Sequence, residues 1–190
     1  DEHVADCFTE AIEALSAAGA IIKETSIAPI EAMRPSNNSN SIVAAEAYAL
    51  HHDRLESDTV ALYDPYIAHR LGGGQDISAT DYINMLATRK KVWSEVYAVT
   101  QHFDALILPT SPTLPPTLDT LDSIPAKATI NARCLRNTSV SNYLDQPTIT
   151  LPCHGSDTAP VGVSLMGPRL QDRRLFAIAA GVEKILNAAR

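Results

Sequence analysis

The chain has 190 residues, 45% hydrophobic and 19% charged, a balance that suits a globular fold with a real core and excludes bulk disorder. Its formal net charge of -7 argues against nucleic-acid binding through a broad basic face. No apolar run approaches bilayer-spanning length, and the opening Asp1-Glu2-His3-Val4 has neither the features of a signal peptide nor an initiator Met, which fits a start inside a longer polypeptide.

Val4 to Ala18 reads as an amphipathic helix, with Val4, Phe8, Ala11, Ile12 and Leu15 at helical spacing and Gly19 as a stop. Ala20 to Ile27 alternates weakly and suggests a strand. Asn37 to Glu56 is rich in Ala, Leu and Glu and reads as helix. A shorter helix runs from Pro65 to Leu71, with Pro65 suited to its first turn. Ser78 and Asp81 form a capping-box variant ahead of the longest predicted helix, Ser78 to His102. There Ile83, Leu86, Lys90, Trp93, Val96, Tyr97 and Thr100 mostly mark one face. Phe103 to Pro109 is a short apolar run of the kind found in buried parallel strands. Thr110 to Pro125 contains Pro112, Pro115 and Pro116 and reads as a rigid irregular loop. A helix or helical turn is expected over Ala126 to Val140. Thr148–Leu151 and Val161–Met166 read as strands, and Asp172 to Ala188 as a closing amphipathic helix. Leu175, Ile178, Ala179, Val182, Ile185 and Leu186 would face inward there. The order fits an α/β class, a sheet covered by helices.

Several constellations have bland explanations. Cys153 and His154 are adjacent at a strand end, where neighbouring side chains point to opposite faces, which argues against a nucleophilic dyad. His51 and His52 face different ways on a helix. With His102 and Cys134 isolated, no metal site is expected. Gly72-Gly73-Gly74 follows a helix and no Lys-Ser/Thr follows it, so it reads as a helix stop and a flexible connection, not a phosphate loop. Arg89-Lys90-Lys91 beside Glu95 reads as a solvated face. Ser164 lies outside any GxSxG elbow and reads as structural. Cys7, Cys134 and Cys153 contain no CxxC pair, and a reducing cytoplasm is the simplest setting.

Two segments resemble the amidase-signature family. One is Phe103-Asp-Ala-Leu-Ile-Leu-Pro-Thr-Ser-Pro-Thr-Leu-Pro-Pro116, a strand entering a proline-rich loop. The other is Leu135-Arg-Asn-Thr-Ser-Val-Ser-Asn-Tyr-Leu-Asp-Gln-Pro-Thr-Ile-Thr-Leu-Pro-Cys153, followed by Ala159-Pro-Val-Gly-Val-Ser-Leu-Met-Gly-Pro168. Each motif alone is weak; their order and spacing together are specific, and the likeness extends over essentially the whole chain. The chain departs from the family at Asp145, where Gly is frequent, and at His154, where Gly is usual.

The resemblance implies an α/β fold, part of the amidase-signature fold with a mixed β-sheet covered by helices, and residues 1–190 as the C-terminal part of a single amidase domain. It implies hydrolysis of carboxamide C–N bonds by a Ser nucleophile, a bridging Ser and a Lys base, without a cofactor. No Gly-Gly-Ser-Ser-Gly-like stretch is present, so no catalytic residue is expected in these residues. By the same analogy the acyl pocket would draw on Thr110, Ser111, Asn131, Leu135, Arg136, Asn137 and Thr138. Arg136, if it points into the pocket, would favour a carboxylate or carbonyl-rich substrate; a surface or helix-end arginine is the other reading. Expected partners are a small-molecule amide and the N-terminal half of the same enzyme, with no direct nucleic-acid binding and no membrane. A homodimer stays open. So do the A subunit of an aminoacyl-tRNA amidotransferase, and a non-catalytic module that keeps only this half for binding.

Overall fold

The computed structural model describes residues 1–31 and 38–189. Helix α1 (Glu2–Ala17) ends as the sequence predicts. Gly19 takes a left-handed φ of 97°, and the N–H groups of Gly19 and Ala20 return to the carbonyls of Ser16 and Leu15. This is a Schellman ending, which a Cβ at Gly19 would strain. The chain then runs over 20–27 without joining a sheet, contrary to the strand expected there. A strand needs a neighbour for its backbone groups, and among the described residues none lies alongside.

Helix α2 (Asn38–Leu55) covers most of its predicted span, and Asn37 lies outside the described residues. Helix α3 (Pro65–Gly72) starts at Pro65 because the Asp64 carboxylate accepts from the N–H groups of Tyr66 and Ile67 at 2.9 and 3.1 Å. Gly74 is needed for packing: a Cβ there would lie 2.1 Å from the Ala44 carbonyl oxygen.

Helix α4 (Ala79–Thr100) is capped by Ser78, whose hydroxyl accepts from Asp81 N–H at 3.1 Å and donates to the Asp81 carboxylate at 2.6 Å. Its packed face keeps Trp93, Val96 and Thr100 of the predicted one and differs elsewhere. Ile83 and Tyr97 are exposed, while Tyr82, Met85, Val92, Trp93 and Val96 meet the core. Arg89 also lies on the packed side. It is not on a solvated face: Nε donates to Tyr143 O at 2.6 Å and Nη2 to Asn142 O at 2.9 Å. Trp93 Nε1 donates to the same Tyr143 carbonyl at 3.0 Å, and the Arg89 and Arg169 guanidinium groups lie 5.1 and 4.6 Å from the Trp93 ring centroid. A charged residue thus sits on the buried stripe because it satisfies the end of another helix.

That helix is α6 (Thr138–Leu144), which with α5 (Ile124–Cys134) replaces the single predicted helix. The break at 135–137 turns Asn137 inward. Helix α6 ends at Asp145, in the left-handed region at φ 54°. Asp is tolerated where glycine is easier because its carboxylate pairs with Arg169 Nε at 2.7 Å.

Strands β1 (Leu106–Pro109), β2 (Thr148–Pro152) and β3 (Gly162–Met166) form one sheet of order β1-β3-β2. Both pairings are antiparallel, so the parallel expectation for the first strand is corrected. Its run is apolar because both sheet faces are covered, a pattern that does not report strand direction. On one face Leu151, Val163 and Leu165 pack under α1 and α7 (Asp172–Ala189), against Val4, Ala11, Leu175 and Leu186. Val163 is fully buried, worth about 1.5–3 kcal/mol. On the other face Leu106, Leu108 and Met166 meet Val96, Val140, Tyr143 and Leu144. No described helix is long and apolar enough to cross a membrane.

Candidate functional site

The second sheet face is apolar at one end and hydroxyl-bearing at the other. Alternation along the strands places Thr110, Thr150 and Ser164 on that face with Leu108 and Met166. The three hydroxyls form a closed triangle. Thr110 Oγ1 lies 3.2 Å from Thr150 Oγ1 and 2.8 Å from Ser164 Oγ, and Thr150 Oγ1 lies 3.1 Å from Ser164 Oγ. Each can donate once and accept once around the ring. Gly162 clears the space for it: a Cβ there would stand 2.7 Å from Thr150 Cγ2 and 3.0 Å from Thr110 Oγ1.

Asn137 closes the site from above. It is 5% exposed, and its Nδ2 donates to Pro109 O at 2.7 Å, locking the α5–α6 break onto the end of β1. A small cavity of about 10 Å³ remains between them, lined by Leu108, Thr110, Asn137, Thr138, Ser141 and Ser164 among others. That is room for about one water molecule.

The predicted site residues divide. Thr110, Asn137 and Thr138 come together at this cavity. Arg136 is exposed and joins it through Asn137, with Nε 3.5 Å from Asn137 Oδ1, the outer limit of a hydrogen bond. Ser111 turns to its own loop, donating to Thr113 O at 3.0 Å and accepting from Thr113 N–H at 3.3 Å. Leu135 caps α5 and is 41% exposed. Asn131 sits one turn earlier on α5, half-buried. None of these last three lines the cavity.

Sequence reasoning missed Thr150, and it treated Ser164 as an isolated structural serine. The available signal was the Thr148-x-Thr150 alternation opposite Ser164, but the strand register was needed to read it. The hydroxyls bond to one another and not to a His, Lys or carboxylate, so none has a base to activate it as a nucleophile. What the arrangement offers is fixed hydrogen-bond capacity beside an exposed guanidinium, suited to holding a carbonyl or carboxylate.

Cys153 and His154 form no dyad. Cys153 Sγ is directed to Val161 O at 3.6 Å, and His154 Nδ1 is bound to the Val161 backbone, 3.1 Å from its nitrogen. Among the described residues no group of three or more His, Cys, Asp or Glu could hold a metal ion.

Known proteins are similar to this chain in sequence and fold. The 2-amino-5-chloromuconic acid deaminase of Comamonas testosteroni is 26% identical over 98% of this chain and 40% of its own length. The A subunit of the glutamyl-tRNA(Gln) amidotransferase of Sulfurisphaera tokodaii is 27% identical over 98% of this chain and 43% of its own. This chain therefore spans about two fifths of the length of these relatives. A crystal structure of an amidase superposes with TM-score 0.81 at 26% identity, over 95% of this chain and 41% of that one. Kluyveromyces lactis allophanate hydrolase, at 22% identity and TM-score 0.79 over 98% of this chain and 30% of that one, shares the fold. The amidase family model matches residues 1–176, and the chain belongs to the amidase family.

Proposed function

We propose that these residues are one part of a carboxamide C–N hydrolase, the C-terminal part of a single amidase domain. The observation that carries this is the family match over residues 1–176, in a chain that spans 40% of a deaminase relative and 41% of an amidase of the same fold. The Ser, bridging Ser and Lys of the reaction come from polypeptide outside these 190 residues. The chain's own share is the acyl side of the pocket, where Thr110, Asn137 and Thr138 form a rigid polar floor and Arg136 stands at its exposed margin. Ser111, Asn131 and Leu135 complete the rim. The burial of Asn137 and the hydrogen bonds that hold each group support this, Thr110 to Ser164 and Thr150, Asn137 to Pro109 O and Thr138 to Leu135 O: a floor whose groups are already oriented costs little to order when substrate binds.

Arg136 points the preference towards amides that also carry a carboxylate or a second carbonyl. In the complete polypeptide Arg136→Ala should raise KM for acidic amides and leave neutral amides unchanged. Equal kinetics across both classes would remove Arg136 from the site. Three cysteines outside any disulfide suit a cytoplasmic enzyme.

The second reading is the A subunit of an amidotransferase, favoured by the Sulfurisphaera relative, whose coverage of this chain equals the deaminase's. The two separate on the fate of the ammonia: both pass the acyl group to water, but a stand-alone amidase releases the ammonia to solvent, whereas an amidotransferase delivers it to a second substrate.

A further inference from the structure

Helix α6 is anchored at both ends, and only its start belongs to the candidate site. There Asn137 is tied to Pro109 O and Thr138 lines the cavity. At its finish, carbonyls without a partner inside the helix are met from outside it. Ser141 O accepts from Gln146 N–H at 3.1 Å, while Asn142 O and Tyr143 O accept from Arg89 and Trp93. The helix has 7 residues, about two turns, so a tilt at one end is carried to the other.

Asp145 joins this anchor to a third element. Its carboxylate pairs with Arg169, which follows β3, and beside them Gly167 N–H donates to Pro147 O at 2.9 Å. Arg169 in turn lies over the Trp93 ring that Arg89 also touches. Two guanidinium groups on one ring repel each other. Arg89 is bound to neutral carbonyls, and Asp145 is the one acidic group within salt-bridge reach of either arginine among the described residues. The Asp145 carboxylate therefore holds Arg169 on Trp93, whose N–H is fixed on Tyr143 O.

Stability does not account for Asp145. Its φ of 54° is a conformation that glycine takes freely and other residues take against strain. The ion pair that offsets this strain is 50% exposed at Arg169 and 48% at Asp145, and a pair so placed contributes little. Strain and pairing oppose each other, so what the pair adds is a fixed geometry.

We infer that Asp145 and Arg169 are positioning residues for the acyl side of the amide site: with Arg89 and Trp93 they set the angle of α6, and thereby the place of Asn137 and Thr138. The inference rests on the reading of this chain as the acyl-side part of a hydrolase. Neither residue lines the cavity, so both act through the helix.

The test uses the complete polypeptide, with Asp145→Gly as the main variant. Glycine keeps the left-handed turn and removes the pair, so the urea midpoint should stay level or rise. Hydrogen exchange across 138–141, at the site end of α6, should nevertheless quicken by at least ~10-fold. KM should rise by about 5-fold for acidic and neutral amides alike, with kcat within about 2-fold, because the reacting groups are untouched. Asp145→Asn suits the same backbone and can still accept from Arg169, so it should fall between wild type and Asp145→Gly. Arg169→Lys keeps the charge but cannot lay a planar cation on Trp93, and should match Asp145→Gly in exchange and KM. A lowered midpoint with exchange and KM unmoved would make the pair a plain structural tie and overturn the proposal. A higher KM without faster exchange overturns it too, since α6 would not carry the effect, as does faster exchange with KM unmoved. The two readings can fail separately. A wild type that turns over no amide removes the hydrolase reading, and exchange then decides alone whether the pair sets α6. Turnover in the wild type, with exchange and KM equal in every variant, keeps the hydrolase and removes the positioning role.

Discussion

Replacing Gly162 with alanine drives a methyl group into the hydroxyl cluster. The new Cβ would stand 2.7 Å from Thr150 Cγ2, against ~3.5–4.0 Å for an ordinary carbon–carbon contact. An overlap of about 1 Å between strands already fixed by their ladder should cost about 1–3 kcal/mol, the usual range for overpacking. Thr150→Ser removes that methyl and keeps the hydroxyl in the triangle. The double variant should recover much of the loss, with a coupling energy of about 1–2 kcal/mol. Urea unfolding of the wild type, both single variants and the double variant gives the cycle. With a slope near ~2 kcal/mol/M, Gly162→Ala should lower the midpoint by about 0.5–1.5 M. A cycle that closes within ~0.3 kcal/mol of zero would refute the reasoning, since the cost of the methyl would then not arise at Thr150.

Other consequences are as specific. Asn137→Ala leaves Pro109 O without its donor and should cost about 1–3 kcal/mol, read as a lower urea midpoint; Asn137→Asp should be worse, because it sets a buried carboxylate against a carbonyl. Arg89→Ala should cost about 1.5–3 kcal/mol through its two carbonyl bonds, with Arg89→Lys intermediate, because an ammonium cannot span both acceptors and stack on Trp93. Thiol labelling should reach half-buried Cys134 before Cys7 and Cys153, since Cys7 is buried and that burial, with Glu10 and Asp6 nearby, pushes its thiol pKa up. Labelling of Cys7 at the rate of Cys134 in the folded chain would contradict this.

Much of the fold was legible in the sequence because periodicity and caps are local. The Ser78–Asp81 pair, Pro65 after Asp64 and the glycine after α1 each mark an end that the structure keeps. What escaped was non-local. Arg89 of α4 reaches carbonyls more than fifty residues away, and no pattern within the helix announces that. Residues 20–27 have a strand's composition, but pairing belongs to two segments, and composition describes one. The direction of β1 was misread because burial on both faces looks the same for parallel and antiparallel strands. At the site, Thr110, Asn137 and Thr138 were legible through family resemblance. Thr150 and Ser164 needed the register, and the turn of Ser111 into its own loop is a tertiary outcome of the prolines around it.

The central claim, that this chain is the acyl-side part of a carboxamide hydrolase, is tested most directly by ammonia release. A panel of acidic and neutral carboxamides is incubated with the isolated 190-residue chain and with the complete polypeptide that contains it. The account predicts no release above background from the isolated chain. It predicts turnover from the complete polypeptide, abolished when its Gly/Ser-rich-loop serine is changed to alanine and shifted in KM for acidic amides by Arg136→Ala. Serine-dependent release from the 190 residues alone, or none from the complete polypeptide across the panel, would contradict it.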